Sequence, residues 1–180
     1  MIIVLLAEGF EEIEALAPVD LLRRAGLTVV TVSCGKDNTV CGAHGIAVDA
    51  EKNISEMTDC KNAELLVLPG GMPGTLNLDA CEGVHRLISS AVAEKKRIAA
   101  ICAAPMILGK LGLLEGKTAV CYPEFEEYLS GASISEKRVV TDGLITTAKG
   151  AGAAVDFALE LAALLCGENT AENIRNGIFA

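Results

Sequence analysis

Short runs of apolar residues alternate along this chain with longer segments whose apolar positions recur at helical spacing. The run Ile2–Ala7 precedes a helical pattern through Leu21–Ala25. A later run at Leu65–Leu68 precedes another helical pattern at Val84–Glu94. Such alternation is typical of βαβ units, in which helices cover a parallel sheet, and it predicts an α/β fold. The predicted strands are Ile2–Ala7, Thr28–Ser33, Leu65–Leu68, Ile98–Ile101, Thr118–Cys121, Val139–Thr141 and Ile145–Thr147.

Three local features modify this alternation. The segment Gly35–Asp49 is rich in Gly, Asn and Thr with short β-prone pieces, and it predicts a small hairpin inserted between core units. Pro18 lies inside the first helical pattern, which predicts a kink or a restart there. A last helix is expected from about Ala153 to Leu165, with Gly167 as its cap.

Length and composition favour one domain with an aliphatic core. The chain has 180 residues, of which 51% are hydrophobic and only 3% aromatic, and it has no Trp. We therefore expect a single domain over residues 1–180, with buried parallel strands. The net charge of −9 argues against stable nucleic-acid binding. The apolar N-terminal run meets Glu8 almost at once, so it predicts a strand rather than a signal peptide or a membrane span.

Cysteine usage bears on compartment and cofactors. The seven cysteines are irregularly spaced, form no C-x-x-C motif and do not alternate with histidine as in zinc sites. A reduced, cytoplasmic protein without a metal site is the expectation. The G-x-G-x-x-G fingerprint and the G-x-x-x-x-G-K-[ST] loop are absent, so the sequence predicts no nucleotide cofactor.

Cys102 is the candidate nucleophile. It follows the strand-like run Arg97–Ile101 directly and precedes a helix-like run that begins at Ala103, with Pro105 in the position of a first helical turn. A cysteine at such an elbow lies at the carboxyl edge of the sheet, and a helix amino terminus beside it favours the thiolate. We therefore expect a lowered thiol pKa. The other six cysteines fit the ordinary role of buried thiols.

Further candidates lie where other predicted strands end. Gly70 and Gly71 follow the strand Leu65–Leu68 in a turn that either exposes amides for an oxyanion hole or is an ordinary tight turn. Glu14 could face the crevice as a partly protonated acid, or could simply favour the helix dipole, which suffices for its acidic neighbours. His44, in a glycine-flanked loop, could reach a site or remain solvated.

Four segments appear together and in order: Glu11–Glu14, Leu68–Gly71, Ala100–Pro105 and Asp142–Thr147. Together they resemble the ThiJ/PfpI superfamily over most of the chain. The resemblance is strongest to the branch that contains the parkinsonism-associated protein deglycase and its bacterial relatives. It implies a flavodoxin-like α/β sandwich of three layers that commonly forms a homodimer.

The resemblance also implies roles for individual residues. Cys102 becomes the nucleophile, Glu14 its carboxylic acid, and the amides of Gly71 and Ala103 the oxyanion donors. Tyr122 stands where the deglycase prototype has a histidine, so proton transfer falls to Glu14 or His44. Ala103 stands where the protease-like branch has a histidine, which disfavours a Cys-His peptidase. Gly70, His44 and Tyr122 remain possible substrate-binding residues.

These observations lead to two classes of function. The first is a cofactor-independent, cysteine-dependent glyoxalase or deglycase acting on 2-oxoaldehydes such as methylglyoxal, or on their early adducts. The second is a stress-response protein in which Cys102 senses oxidation by forming a sulfinic acid, or a chaperone-like member without significant turnover. Both classes of function would use the same exposed thiol, so the residues alone do not distinguish between them.

Overall fold

The computed structural model describes all 180 residues. The strands are β1 Ile2–Leu6, β2 Val29–Ser33, β3 Thr39–Cys41, β4 Ala47–Asp49, β5 Lys52–Asn53, β6 Leu65–Leu68, β7 Arg97–Ile101, β8 Thr118–Ala119, β9 Ser133–Ile134, β10 Val139–Asp142 and β11 Ile145–Ala148. The helices are α1 Glu12–Arg24, α2 Gly74–Asp79, α3 Glu82–Ala93, α4 Pro105–Lys110, α5 Ala154–Cys166 and α6 Glu168–Ile178. Short 3-10 turns span Ile54–Glu56, Glu126–Tyr128 and Ala151–Ala153.

The main sheet has seven strands in the order β10-β11-β7-β6-β1-β2-β5. Every neighbouring pair of strands in this sheet is parallel except one: the edge strand β10 is antiparallel to β11. The central order β2-β1-β6-β7-β11 is the 2-1-3-4-5 arrangement of flavodoxin-like folds. The α/β fold predicted from the sequence is therefore confirmed, as is the inserted hairpin, formed by β3 and β4.

Successive side chains of the central strands point to opposite faces of the sheet, so the core has two layers. In β1, Ile3 and Leu5 pack into the layer beneath α2, α3 and α4. Ile2, Val4 and Leu6 pack into the layer beneath α1 and α5. All five residues of β1 are buried, which explains why the strand is an unbroken apolar run rather than an alternating one. None of the helices has both the length and the apolar character needed to cross a membrane.

Four details differ from the sequence-based predictions. Helix α1 runs unbroken through Pro18, so no restart occurs. Strand β8 pairs with β9 in a separate small sheet instead of joining the main one. Helix α5 is not the last helix, because Gly167, at a φ of 89°, ends α5 and is followed directly by α6. Helix α4 begins at Pro105, not at Ala103, and has only six residues.

The topology brings three loops together at one edge of the sheet. Strand β1 lies between β2 and β6, and β7 follows β6 on the far side. The chain leaves the carboxyl end of β1 toward α1, that of β6 toward α2, and that of β7 toward α4. In open α/β sheets, ligands bind at the carboxyl edge where the strand order reverses, which is the position of these loops.

Candidate active site

Cys102 occupies a strained backbone position at the carboxyl end of β7. Its φ is +64°, a left-handed conformation that costs a non-glycine residue about 1–3 kcal/mol. Two hydrogen bonds hold it there. Its N–H donates to the carbonyl of Ala148 at 2.9 Å, and its carbonyl accepts from the N–H of Tyr122 at 2.8 Å. The side chain is partly exposed, so the elbow presents the sulfur to small molecules.

Glu14 is buried beside this sulfur. It lies in the first turn of α1, yet its side chain is only 1% exposed. One carboxylate oxygen, Oε2, accepts a hydrogen bond from the N–H of Gly70 at 3.0 Å. A Cβ atom on Gly70 would touch both this oxygen and the Cβ of Cys102, so the carboxyl group lies beside Cys102. The other oxygen, Oε1, is buried without a well-aligned partner. Glu14 therefore faces the crevice, and of its two predicted orientations the surface one is wrong.

Gly70 packs against both Glu14 and Cys102 and leaves no room for a side chain of its own. A methyl group on it would lie 2.6 Å from the Cβ of Cys102 and 2.9 Å from the carbonyl oxygen of Ile101. Its own carbonyl accepts from the N–H of Glu11 at 3.0 Å, which ties the loop after β6 to the start of α1. The backbone N–H groups of Gly71 and Ala103 lower the pKa of the Cys102 thiol and so favour its anion. The two predicted oxyanion donors thus meet at Cys102.

Burial dominates the electrostatics of the pair. It raises the pKa of Glu14 from an ordinary 4.5 to about 7, against opposing hydrogen bonds from Cys102 and from the Gly70 and Ala151 amides. Burial, together with the charge of Glu14 and the hydrogen bond to it, raises the pKa of Cys102 to about 12. The expected lowering of the thiol pKa is therefore wrong. Helix α4 has only six residues, and its N-terminal dipole does not offset the loss of solvation.

Near neutral pH the pair begins to lose one of its two protons, and the higher pKa of Cys102 places the remaining proton mainly on the sulfur. Below the pKa of Glu14 both carry protons, and above it one proton remains for the carboxylate and the sulfur to share. When that proton sits on Glu14, the sulfur is an anion that accepts from the carboxylic acid and from the amides of Gly71 and Ala103. Since the thiol pKa is not low, a thiolate in this pair requires transfer of the thiol proton to the Glu14 carboxylate.

His44 is engaged elsewhere. Its Nδ1 lies 2.8 Å from Oε2 of Glu12, and its backbone N–H donates to Oε1 of Glu12 at 2.7 Å. No hydrogen bond joins His44 to Cys102 or Glu14. Glu12 is itself buried, contrary to the surface position expected from the helix dipole, and Glu11 is the N-cap that accepts from the N–H of Glu14. Glu11, Glu12 and His44 lie close enough together to hold a metal ion. In this structure both carboxylate oxygens of Glu12 are hydrogen-bonded to His44 instead.

A cavity of about 400 Å³ adjoins the pair. It is lined by Tyr122, Pro123, Arg138 and Lys149 and by the small residues that follow β11. Tyr122 connects the cavity to Cys102 through its backbone N–H, and the N–H of Ala151 connects it to Glu14. The sequence reasoning did not identify Ala151. Its signal is the run Gly150-Ala151-Gly152 directly after a predicted parallel strand, which places free amides at the same edge.

Replacing Gly70 by alanine is expected to damage this site more than the fold. The added methyl group would force Glu14 and Cys102 apart, and a displacement of about 1 Å in a catalytic group costs roughly 100-fold in rate. Overpacking should lower the free energy of unfolding by about 1–3 kcal/mol. Gly177→Ala is the matched control, because a methyl group there meets nothing within 4 Å. Steady-state kinetics and chemical denaturation of both variants check the prediction, and wild-type turnover in Gly70→Ala would contradict it.

Two curated proteins illustrate the similarity of the chain to known sequences. It is 37% identical over 175 residues to protein DJ-1 homolog B of Arabidopsis thaliana, covering 96% of this chain but 40% of that protein. It therefore spans less than half the length of that relative. It is 32% identical over 178 residues to protein dj-1beta of Drosophila melanogaster, covering 98% of this chain and 95% of the relative.

Structure and family comparison agree with these similarities. The fold superimposes on oxidized DJ-1 of Toxoplasma gondii with a TM-score of 0.92 and 35% identity, covering 99% of this chain and 97% of the other. The family model described as the DJ-1/PfpI family matches residues 1–164. The chain thus belongs to the DJ-1/PfpI family.

Proposed function

We propose that this protein is a cysteine-dependent enzyme that converts 2-oxoaldehydes such as methylglyoxal, free or as early adducts on amines and thiols, into 2-hydroxy acids such as lactate. The observation that carries this proposal is the buried carboxyl group of Glu14, which packs with Cys102 around Gly70. The Gly71 and Ala103 amides favour the anion of the same sulfur. These groups can supply a nucleophile, a proton carrier and an oxyanion site. The reaction needs no redox cofactor, because it is an internal rearrangement followed by addition of water.

In the first step, the Cys102 sulfur attacks the aldehyde carbon while its proton rests on Glu14. A carbon–sulfur bond forms, and the aldehyde oxygen becomes an alkoxide. The amides of Gly71 and Ala103 are suited to stabilise that oxygen, and one good donor of this kind contributes about 3 kcal/mol to the transition state. Protonation of the alkoxide by Glu14 leaves a hemithioacetal and a carboxylate.

In the second step, the Glu14 carboxylate removes the proton from the former aldehyde carbon, and the former ketone oxygen takes the negative charge of the resulting enediolate. The hydroxyl proton on the former aldehyde oxygen passes to that oxygen, and Glu14 returns its proton to the neighbouring carbon, which yields the thioester of lactate. Water hydrolyses this thioester and releases lactate and the free thiol. A pKa of about 7 suits both transfers, because a general acid and base works best when its pKa lies near the operating pH.

The surroundings of the pair support a small substrate. Gly70 keeps the backbone close to both side chains, which leaves little space on that side. The adjoining cavity of about 400 Å³ opens on the other side and can hold the amine or thiol portion of an adduct. With Glu14 able to move both protons, the hydroxyl of Tyr122 has no required step, and exposed His44 remains bound to Glu12.

A second candidate function is oxidation sensing at Cys102. The partly exposed sulfur, bounded by a carboxyl group and two amides, would also accommodate the first oxygens of a sulfinic acid. The Toxoplasma relative with this fold is itself described as oxidized. The predicted homodimer and cytoplasmic location remain predictions and do not distinguish the two functions.

The test is a direct assay of the reduced protein. Incubated with methylglyoxal and followed by proton NMR, the wild-type protein should form one lactate per methylglyoxal consumed, over many turnovers. A folded protein with a titratable Cys102 thiol that forms no lactate would overturn the enzyme proposal. If peroxide then converts Cys102 selectively to sulfinic acid, as seen by mass spectrometry of tryptic peptide 98–110, the sensor replaces the enzyme.

A further inference from the structure

Two other cysteines lie together outside this site. Cys34 directly follows β2, and Cys81 is the N-cap residue of the twelve-residue helix α3. They are 47 positions apart in the sequence, yet the Sγ of Cys81 lies 3.8 Å from the carbonyl oxygen of Cys34. The sequence reasoning treated both as ordinary buried thiols because nothing in their spacing shows that β2 ends where α3 begins.

Both residues border a surface cavity. Each is partly exposed, and together they line a cavity of about 360 Å³ with Ala7, Glu8 and Asn77 among its other walls. Glu8 directs its carboxylate away, accepting a hydrogen bond from the N–H of Cys41 at 3.2 Å. A small oxidant can therefore reach the pair without entering the Cys102 site.

The environment makes the two sulfurs unequal. The hydrogen bond from Cys34 lowers the pKa of Cys81 to about 5 against the effect of burial, and the amides of Val84 and Gly83 at the start of α3 lower it further. The same hydrogen bond, followed by burial, raises the pKa of Cys34 well above its ordinary value. Such a pair combines a nucleophilic thiolate with an adjacent thiol that can resolve an oxidised intermediate.

We propose that Cys34 and Cys81 form a second redox site, which reduces a small hydroperoxide and is converted into an intramolecular disulfide. The Cys81 thiolate attacks the distal peroxide oxygen and breaks the O–O bond. With hydrogen peroxide, this yields a sulfenic acid and, after proton uptake, water. The sulfur of Cys34 then attacks the Cys81 sulfur, losing its proton as the S–S bond forms and the hydroxyl leaves as a second water. Two electrons pass from the thiols to the peroxide, and an external dithiol returns them.

The distribution of trypsin sites allows a direct test. Cleavage after Lys and Arg places each of the seven cysteines in a different peptide, with Cys34 in 25–36 and Cys81 in 62–86. Folded Cys102→Ser protein is treated with hydrogen peroxide, alkylated, digested without reductant and analysed by mass spectrometry. We expect a linked species of these two peptides, lacking two hydrogen atoms, which dithiothreitol separates. The Cys102→Ser background removes the first site, so this result does not depend on the proposed enzyme activity.

Two variants sharpen the result. In Cys34→Ser the disulfide cannot form, and we expect dimedone to trap a sulfenic acid on Cys81. Cys166→Ser is the matched control, and it should give the same linked species as its parent. In folded protein at neutral pH, Cys81 should also react with iodoacetamide at least ~10-fold faster than Cys60, whose pKa is raised by burial to about 11.

Three outcomes would overturn the proposal. The first is a folded protein in which the linked species is absent after peroxide while dimedone labels no Cys81. The second is linkage that appears only after denaturation, because the native juxtaposition would then play no part. The third is linkage that requires Cys102, since the oxidising equivalent would then come from the other site.

Discussion

Replacing Cys102 by serine is expected to lower kcat/KM for methylglyoxal by roughly 10³-fold or more. The serine hydroxyl is a far weaker nucleophile than a thiolate, and no other cysteine bonds to Glu14 or to the amides of Gly71 and Ala103. The folded structure should persist, because the hydrogen bonds that hold the strained backbone at this position involve only main-chain atoms of Cys102. Lactate formation and chemical denaturation measured side by side check both parts.

Cys166→Ser is the control for this experiment. Cys166 is partly exposed like Cys102, but it lies at the end of α5, where its sulfur approaches the carbonyl oxygen of Ala25. Equal loss of activity in both variants would point to a general effect of removing a thiol. Retention of turnover in Cys102→Ser would exclude Cys102 as the nucleophile, whatever the control does.

Replacing Glu14 by glutamine should reduce turnover by about 10²–10⁴-fold, the contribution usual for a general acid and base. In the wild type, kcat/KM should rise with pH through about 7, because ionisation of Glu14 gives the carboxylate that can accept the thiol proton of Cys102. In the variant this rise should disappear. Removal of the carboxylate lowers the pKa of Cys102, but burial, the largest cause of its elevation, remains, so residual activity should increase only at alkaline pH.

Stability should change with pH in a way that identifies the same carboxyl group. The folded pKa of Glu14, about 7, lies above its ordinary value of 4.5, so between these pH values the unfolded chain loses a proton that the folded protein keeps. The free energy of unfolding of the wild type should therefore fall as pH rises across this window, by about 3 kcal/mol from this group. Glu14→Gln should lack that component.

The conservative partner for this comparison is Glu14→Asp. It restores a titratable carboxyl on a shorter side chain, so the pH-dependent loss of stability should return in part even if turnover does not. Denaturant titrations at several pH values between 4 and 8 measure the effect in all three proteins. Identical pH dependence in the wild type and Glu14→Gln would show that Glu14 titrates normally, and the proton-carrier role would then be untenable.

The architecture of the fold was largely predictable because its signals are local. Buried strands such as β1 and β6 are continuous apolar runs, and the helices between them carry apolar residues at helical spacing. The predictions failed where the position of an element depended on contacts with residues distant in the sequence. Strand β8 pairs with β9 rather than joining the main sheet, and α6 has a mostly polar sequence with few buried residues. The spacing of apolar residues in these two segments does not show which element each of them packs against.

The elements of the candidate site were also largely visible in the sequence. The positions of Cys102, Glu14, Gly70 and Gly71 follow from the ends of predicted strands and from the family resemblance, since parallel strands present their carboxyl ends at one edge. The sequence could not indicate how the site titrates. A pKa depends on solvation and on every charge nearby, and the burial of Glu14 against Gly70 and Cys102 is a property of three loops packed together.

The sequence by itself therefore determined the order of the main parallel strands and of the helices between them, the elbow at Cys102 and the glycine-rich turn after β6. Only the tertiary structure decided that Glu14 is buried, that His44 binds Glu12 instead of the candidate site, and that burial raises the thiol pKa. It also decided the meeting of Cys34 and Cys81 across 47 positions. The physical reason is common to all of these: local periodicity specifies elements, whereas contacts between loops distant in sequence arise only when the sheet aligns their strands.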